Sequence, residues 1–598
     1  MKHKKTLALL LAGMLGATTL VGCGHNVSDE SDLPVDPETT TVIRVTNNDG
    51  GFGTKWLRAA AKRFEEAYAE ESFADGKTGV YVDVEGTREE RISSMATDAY
   101  HIYFTEQPPE PRDMAQGGTV FNINDVLTEK SDTRDGVAMS IEDKIPEENR
   151  SALKGRDGNY YALPHFELLV GLSYDQDLFE KRNLYFADES ETAVVPFTDS
   201  FGSANFVANK SAKKHCGNDG VYGTDDDGLP TSLQDMLILC AKMKQLGIAP
   251  FTYTGMYYTY STTLELALWA SLAGYDEMRI NYTFDGDMVV VDYDHPDGAF
   301  TSEPLFQGEG LEHIKKPRTK TIKITEATGY KIYDSAARYY ATAFLEAIDT
   351  LEWFSQDSNT STVSHTDAQG KFIYSDLFGA TPSGMLIEGC YWWNESEEKA
   401  NNLSDYKADA ESEGKSSERN IAWMSLPTSV NGTKPVEGTV HAQTFLEIGA
   451  SYAFMNGNIK KDDTETINAC KKFLQFLYSD AELEAFTKST GTNRALIEYP
   501  VYDSTFADMD NFQQSFQNVA KRSPNAKVVY AVANNATYLA SPSTFKLKRG
   551  KSAQSNVVKY NGATYESHRE AMKAGVSLRD IFEATRLTAE DWSTYYQG

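Results

Sequence analysis

The run TVIRVT at 41–46 opens the stretch of sequence that decides the fold, because β-branched residues at this density predict a buried strand. The turn NNDGGFG follows at 47–53, and a helical pattern then begins near Thr54. One face of this predicted helix carries Leu57, Ala60, Ala61, Phe64 and Ala67. Strand patterns return at 80–84 and 99–105, with a helical pattern at 88–96 between them. This alternation predicts an α/β lobe with a mainly parallel sheet.

Ligands of open α/β sheets bind beyond the carboxyl ends of the strands. In this lobe those ends carry Asn48, Asp49, Phe104 and Glu106. We therefore expect these four side chains at a binding site, where the polar groups would hydrogen-bond the ligand and Phe104 would offer an apolar face.

The N-terminus predicts export. Three lysines among residues 2–5 precede an apolar run at 7–20, which is shorter than the ~20 residues needed to span a membrane. The run ends in LVGC at 20–23, which resembles a bacterial lipobox. That resemblance implies cleavage after residue 22, a lipid (diacylglycerol and palmitate-like acyl chains) on Cys23, and a place on the extracellular face of the cell membrane. The alternative is an ordinary secretory signal peptide at 1–22 with a chance cysteine.

Composition limits the rest of the chain. Residues 23–40 are polar and acidic, which predicts a disordered tether. The 598 residues exceed the ~250–300 that one core usually supports, so at least two lobes are expected. The formal net charge of −30 argues against nucleic acid as a partner and favours a neutral or cationic ligand. No second long apolar run exists, so membrane contact is expected through the lipid anchor only.

Several later segments resemble one protein family when they are taken in order. GNYYALP at 158–164 and GLSYDQDLF at 171–179 are similar to the "GKxYALP" and "LxYNxxLF" stretches of extracellular solute-binding proteins of ABC sugar importers, the maltose-binding-protein-like class. Asn159 and Asp175 stand where lysine and asparagine are common in that family. GMLIEGCYWW, WMSLP and SYAF continue the resemblance at 384–393, 423–427 and 451–454.

This resemblance implies a two-lobed, periplasmic-binding-protein-like fold with a hinge that the chain crosses near 164–169, 441–445 and 497–502. Lobe one would comprise 41–165 plus 445–498, and lobe two 166–444 plus 499–598. The implied function is capture of a carbohydrate, in particular an oligosaccharide, outside the cell for uptake by ABC permease subunits. The resemblance implies sugar transport without catalysis, so no enzyme activity is expected.

A sugar presents apolar C–H faces and a ring of hydroxyl groups, so its site needs aromatic rings and planar polar partners. The candidates for ligand binding are Asn48, Asp49, Phe104, Glu106, Glu167, Tyr258, Tyr260, Tyr391, Trp392 and Trp393. For each of them, core packing or a solvated surface is the alternative. Because adjacent residues of an extended chain point to opposite faces, only one of Trp392 and Trp393 is expected to face the ligand, with Trp392 favoured.

A second cluster of polar residues lies in NDGVYGTDDDG at 218–228. Oxygen ligands in a glycine-turned loop suit Ca²⁺, which makes Asp219, Thr224, Asp226 and Asp227 candidates for a structural calcium site away from the cleft. The spacing is not that of an EF-hand, and an acidic turn without metal is the alternative. No other cofactor is expected.

Two rival functions stay open at this stage. Sequence motifs of hydrolases, metalloproteases and nucleotide-binding enzymes are missing, but a lipid-anchored glycan-processing enzyme needs only two facing carboxylates, which a sequence cannot reveal. The same fold could also bind a non-sugar solute such as a peptide or a polyamine.

Overall fold

The computed structural model describes residues 33–87, 94–106, 110–257, 259–355, 360–432, 434–447, 451–530, 558–565 and 568–595. The signal segment, Cys23 and Tyr258 lie outside these ranges. Within the described ranges, no helix is both long and apolar enough to cross a membrane. The end of the expected tether forms a turn in which the backbone N–H groups of Thr39 and Thr40 donate to the carbonyl of Asp36.

Helices and strands alternate along most of the chain. The described strands are β1 (Thr41–Asn48), β2 (Val80–Thr87), β3 (Ile102–Thr105), β4 (Asp132–Arg134), β5 (Val137–Met139), β6 (Leu163–Pro164), β7 (Val170–Asp175), β8 (Val194–Asp199), β9 (Gly202–Val207), β10 (Ala249–Thr252), β11 (Gly286–Val291), β12 (Phe300–Pro304), β13 (Lys315–Pro317), β14 (Thr319–Ile324), β15 (Ser383–Gly389), β16 (Ile421–Trp423), β17 (Gln443–Glu447), β18 (Tyr452–Met455), β19 (Ala526–Tyr530), β20 (Val558–Tyr560) and β21 (Ala563–Tyr565). The described α-helices are α1 (Lys55–Ala67), α2 (Pro111–Gln116), α3 (Asn124–Thr128), α4 (Glu147–Arg150), α5 (Gln176–Arg182), α6 (Leu233–Gln245), α7 (Thr259–Thr283), α8 (Ala336–Thr350), α9 (His365–Ile373), α10 (Trp392–Glu398), α11 (Asn402–Ser412), α12 (Thr464–Leu477), α13 (Asp480–Thr490), α14 (Asp503–Ala507), α15 (Asn511–Phe516), α16 (His568–Lys573), α17 (Leu578–Thr585) and α18 (Ala589–Tyr595).

The first lobe is built on a five-stranded sheet in the order β2-β1-β3-β18-β6. β1 pairs in parallel with β2 and β3, as the sequence predicts, and β18 pairs antiparallel with β3. Helix α1 covers this sheet with the predicted apolar face, extended by Trp56, whereas Ala67 is exposed at the end of the helix. The periodicity of 41–105 was thus sufficient to predict α1 and the three parallel strands β2, β1 and β3, whereas most of the helix predicted at 88–96 lies outside the described residues.

The second lobe is built on a four-stranded sheet in the order β10-β15-β7-β16. β10 and β15 are parallel, and β7 is antiparallel to both of its neighbours. Helix α6 begins at a capping box formed by Ser232 and Asp235, and α7 is interrupted at Gly274, whose φ is 75°. The glycine is needed there because a side chain is strained at positive φ.

The chain joins the two sheets by three crossings. It passes from β6 to β7, returns from β16 through β17 to β18, and leaves the first lobe again between α13 and α15. β17 pairs in parallel with β19 between the lobes. This arrangement confirms the predicted two-lobed α/β fold with a hinge, and it brings the carboxyl ends of strands from both sheets to one cleft.

Candidate functional site

A glycine-rich loop of lobe one, residues 49–53 and hereafter the glycine loop, lies directly against lobe two. A Cβ atom on Gly51 would stand 3.7 Å from the Cβ of Tyr391, and one on Gly53 would overlap the carboxylate of Glu398. The ring of Phe52 meets that of Tyr391 edge to face, with 6.4 Å between centroids. Both glycines have positive φ, 59° and 64°. Glycine is therefore required here by the backbone conformation and by the close approach of lobe two.

The wall of lobe two that faces this loop is aromatic. Tyr257 and Tyr260 follow β10, and Tyr391 follows β15, so all three lie at carboxyl ends of parallel strands. The ring of His365 is nearly parallel to that of Tyr260, with 6.0 Å between centroids and 14° between planes. Tyr257 is 43% exposed. The wall therefore presents flat ring surfaces at the mouth of the cleft.

Two buried carboxyl groups stand behind these rings. Nε2 of Gln369 donates to Oε2 of Glu395 at 2.9 Å and to Oε1 of Glu388 at 3.2 Å. Nε2 of His365 lies 3.3 Å from Oε1 of Glu395, and Nζ of Lys399 lies 3.9 Å from the same oxygen. Three elements, α9, β15 and α10, thus supply a single hydrogen-bonded network.

The surroundings of the two carboxyl groups give them different protonation states. Burial first, and then the charge of Glu395, raise the pKa of Glu388 to about 8. Burial acts in the same direction on Glu395, but the hydrogen bond and charge of His365 outweigh it and leave the pKa of Glu395 lowered. The partnership with Glu395 also raises the pKa of His365, against the effect of burial. At neutral pH the wall holds a protonated Glu388 beside a charged Glu395.

The stability of the protein should depend on pH through Glu388. Between about pH 4.5 and 8 the unfolded chain loses this proton while the folded chain keeps it, so stability falls as pH rises. Glu388→Gln removes this pH dependence. Between pH 5 and 8 we expect the free energy of unfolding of the variant to fall by about 3 kcal/mol less than that of the parent. Chemical denaturation at several pH values measures the difference.

Glu395→Gln is the matched control. The lowered pKa of Glu395 contributes stability that is present above the unfolded value and is lost only as pH falls through the folded one. Its replacement should therefore destabilise the protein throughout the range from pH 5 to 8 and flatten the pH profile less than Glu388→Gln does, because burial, the larger cause of the raised pKa of Glu388, remains. Parallel profiles for the parent and Glu388→Gln would contradict the assignment of the proton to Glu388.

Four of the residues predicted from the sequence lie at or beside this cleft. Asn48 ends β1, and its Oδ1 accepts the backbone N–H of Gly50 at 3.1 Å, inside the loop. Oε1 of Glu106 would be 3.1 Å from a Cβ on Gly51, and the charge of Glu106 acts on Tyr260. The hydroxyl groups of Tyr260 and Tyr391 contact each other, and burial raises both of their pKa values well above the usual range.

Of the other two lobe-one candidates, Asp49 stays a prediction and Phe104 lies elsewhere than predicted. Asp49 begins the glycine loop, and its Cβ packs beside Gly86 at the end of β2. Phe104 is 2% exposed and packs on Trp56 inside lobe one, with 5.2 Å between ring centroids. The prediction of Phe104 as a cleft aromatic was wrong, because its side chain points into the core beneath α1.

Glu167 was predicted as a ligand contact but belongs to the hinge. It is 1% exposed, and both of its carboxylate oxygens accept from Nζ of Lys521, at 2.7 and 2.8 Å. The hydroxyl of Tyr530 donates to the same carboxylate at 2.5 Å. With these three bonds, Glu167 is committed to joining two hinge segments.

The expectation for Trp392 and Trp393 was also wrong. It assumed an extended chain, but β15 ends at Gly389 and α10 begins at Trp392, where successive side chains diverge by about 100°. Trp392 is fully buried, and its Nε1 donates to Oγ of Ser173 at 2.9 Å. Nε1 of Trp393 donates to Oδ2 of Asp510 at 2.7 Å. Both indoles are core anchors, and Tyr391 is the member of the cluster that faces the cleft.

Sequence reasoning missed the residues behind the rings, namely His365, Gln369, Glu388, Glu395 and Lys399. Glu388 carried a usable signal, because it interrupts the apolar strand GMLIEG, and a buried acid seldom lies in a core strand without a specific partner. His365 and Gln369 lie on a helix about twenty residues upstream and carried no comparable signal.

The acidic loop satisfies its own carboxylates. Asp226 accepts the backbone N–H groups of Asn218 and Asp219 at 2.7 and 3.0 Å and the hydroxyl of Thr224 at 2.9 Å. Burial and the nearby charge of Asp219 raise the pKa of Asp226 to about 7. Asp227 accepts the N–H of Gly223 at 2.7 Å. Among the described residues no three acidic, histidine or cysteine side chains converge as metal ligands, so calcium at this loop stays a prediction.

Gly389 fixes the position of Tyr391. A Cβ on Gly389 would overlap the Tyr391 ring, so Gly389→Ala should push that ring out of its contact with Tyr260. We expect a loss of about 1–3 kcal/mol in stability, as for overpacking. The change should also alter the near-ultraviolet circular dichroism of the tyrosines. Gly414→Ala is the comparison for backbone strain alone, because a Cβ there meets nothing within 4 Å but φ is 65°, whereas φ of Gly389 is not positive. Equal changes in the circular dichroism of the two variants would contradict the packing argument.

Comparison with known proteins finds similar structures but no matching family. No family model matches it, and no curated protein does. A chitin oligosaccharide binding protein of known structure aligns over 93% of this chain and 99% of its own, with 12% identity and a TM-score of 0.49. A probable secreted solute-binding lipoprotein from Streptomyces coelicolor aligns over the same shares, with 11% identity and a TM-score of 0.47. At such values the function must be inferred from the residues of the site itself.

Proposed function

We propose that this protein is a lipid-anchored binding protein that captures a carbohydrate outside the cell and delivers it to an ABC permease. The observation that carries the proposal is the cleft wall, where Tyr257, Tyr260 and Tyr391 present rings beside a fixed set of hydrogen-bonding groups. Exposed ring surface suits the C–H face of a sugar, and the hydroxyls and carboxyl groups suit its hydroxyl ring.

The contacts across the cleft mouth are of a kind that can separate. Lys55 and Glu397 are 3.8 Å apart and both are largely exposed, so their attraction contributes little. Lobe separation at the hinge would expose the wall, and a bound sugar would favour closure by contacting both lobes. Ligand capture is then a shift in the population of open and closed forms.

Binding is favoured over glycan cleavage by the arrangement of the carboxyl groups. Glycosidases place two carboxyl groups on either side of the scissile bond. Here Glu388 and Glu395 lie on the same wall and are only 2% and 4% exposed. Both accept a hydrogen bond from the side-chain amide of Gln369. Their role in this proposal is to hold the rings and the hydrogen-bonding groups in place.

A thermal-shift screen with neutral oligosaccharides, polyamines and short peptides tests the proposal. A sugar at 100 times its Kd should stabilise the protein by about 2.7 kcal/mol. Calorimetry then measures the affinity, and chromatography of the incubated sugar detects cleavage. Stabilisation by polyamines or peptides alone, or the appearance of shorter sugars, would contradict the proposal.

The lipid anchor has its own test. Cys23→Ala should leave the protein unacylated and release it from membranes, because the thiol of Cys23 is the proposed attachment atom. Cys470→Ala is the control, since Cys470 is fully buried in α12. Metabolic labelling with a fatty acid and membrane fractionation provide the readouts. An acylated Cys23→Ala variant would rule out this anchor. The proposed role in uptake predicts loss of sugar import in cells that lack the protein.

A further inference from the structure

The glycine loop is connected to the hinge by a chain of buried polar side chains. Nη1 of Arg494 lies 2.5 Å from Nδ1 of His165, and Nε2 of His165 lies 3.2 Å from Oδ1 of Asn47. Nδ2 of Asn47 is 2.9 Å from the carbonyl oxygen of Gly53 and 2.5 Å from that of Asn48. Asn48 immediately precedes the glycine loop, and Gly53 is its last residue, so Asn47 holds both ends of the loop.

The donor and acceptor groups fix the direction of every hydrogen bond in this series. A guanidinium group can only donate, so Nδ1 of His165 must accept and its proton must lie on Nε2. Nε2–H then donates to Oδ1 of Asn47, which leaves the amide NH₂ of Asn47 to donate to Gly53 and Asn48. A neutral imidazole is required, and burial together with the charge of Arg494 lowers the pKa of His165 well below its usual value.

Arg494, where this series of hydrogen bonds starts, is held firmly in place. Arg494 is 1% exposed, and its guanidinium faces the rings of four aromatic residues at 3.9 to 5.7 Å, which are Phe486, Trp56, Tyr478 and Phe104. Its backbone pairs with that of Phe166 in the first hinge crossing, and the N–H of Ala495 donates to the carbonyl of His165 at 3.1 Å. Backbone pairing between two hinge segments therefore fixes the position of Arg494 relative to His165.

We propose that Arg494, His165 and Asn47 form a one-directional hydrogen-bond relay that sets the conformation of the glycine loop from the hinge. The relay rests on the proposed function for its purpose, because the loop is the part of lobe one that meets Tyr391 and Glu398 on closure. The three are positioning residues: they touch no ligand, and they hold the loop in the shape that completes the site. A movement of the hinge crossings would be transmitted to the loop through these three side chains.

Paired substitutions of His165 isolate the relay from simple packing. The amide nitrogen of a glutamine can occupy the place of Nε2, whereas that of an asparagine reaches only the place of Nδ1. His165→Gln should therefore keep the bond to Asn47 and an ordered loop, and His165→Asn should lose both. Asn47→Asp should also loosen the loop, because a carboxylate cannot donate to the carbonyls of Gly53 and Asn48.

Hydrogen exchange of the full exported chain without any sugar measures the order of the loop. We expect exchange in the peptide 48–57 to rise about tenfold or more in His165→Asn and Asn47→Asp, and to stay near the parent rate in His165→Gln. His101 is the control, because it is a partly buried histidine of the same lobe whose Nδ1 accepts the N–H of Arg44 at 3.1 Å. Its Asn and Gln variants should leave the peptide 48–57 unchanged.

Nitrogen NMR of the parent protein provides a test that needs no variant. The relay requires His165 to be neutral with its proton on Nε2, and a proton on Nδ1 would overturn it. Equal exchange in His165→Asn and His165→Gln would overturn it as well. Since neither measurement uses a sugar, failure of the relay is distinguishable from failure of the proposed function, which the ligand screen decides.

Discussion

Glu167→Gln should lower the free energy of unfolding by about 3–5 kcal/mol, because breaking a buried ion pair leaves an uncompensated charge. Glu167 is 1% exposed and the side chain of Lys521 16% exposed, and three hydrogen bonds from Lys521 and Tyr530 converge on the carboxylate. The amide of glutamine can accept from Lys521 but cannot balance its charge. Chemical denaturation measures the loss.

The double substitution Glu167→Gln with Lys521→Met separates the pair from its surroundings. It should be less destabilising than the sum of the two single substitutions, because neither partner then leaves the other unpaired. Asp508→Asn is the control. It breaks an exposed ion pair with Lys488, whose atoms are 2.7 Å apart, and should change stability by less than about 1 kcal/mol. Additive losses for Glu167 and Lys521 would contradict the coupling.

The position of this ion pair explains why its loss should also affect the hinge. Glu167 lies in the first crossing, and Lys521 lies in a π-helical turn (Gln517–Arg522) before β19. The backbone N–H of Glu167 donates to Asn493 at 3.0 Å. The carboxylate therefore holds together hinge segments that are distant in sequence, so its loss should disturb both segments.

The fold was predictable from the sequence where the decisive information is local. The β-branched run of β1 and the apolar face of α1 specify a buried parallel strand and its covering helix without knowledge of the rest of the chain. The capping residue Ser232 marks the start of α6 in the same way. The acidic loop 218–228 also follows from its sequence as a turn, whereas the partners of its carboxylates do not.

The site was predictable only in part because its composition is decided by distant contacts. The direction of the Trp392 side chain depends on where β15 ends and α10 begins. Only two residues separate these elements, and no local pattern specifies the boundary. The role of Glu167 depends on Lys521, more than 350 residues later in the chain. His365 and Gln369 enter the site only through the packing of α9 against β15, so periodicity identifies them as helix residues and nothing more.

The adjacent residues Tyr391 and Trp392 should separate ligand affinity from stability. Trp392→Ala removes a fully buried indole that packs against Phe372 and Phe512 and donates to Ser173, so we expect a loss of about 3–5 kcal/mol in stability. Tyr391→Ala removes a half-buried ring at the cleft. It should weaken binding of a stabilising oligosaccharide at least about tenfold, or ~1.4 kcal/mol, with a much smaller change in stability.

Calorimetric titration and thermal melting of both variants measure the two effects independently. Trp392→Phe is the milder companion should Trp392→Ala fail to fold, and it should retain near-parental affinity because the indole lies behind the wall. The reason for the separation is geometric: α10 begins between the two side chains, so one residue ends the strand at the cleft and the next turns into the core. Loss of affinity in Trp392→Phe together with full affinity in Tyr391→Ala would place the sugar on a different wall of lobe two.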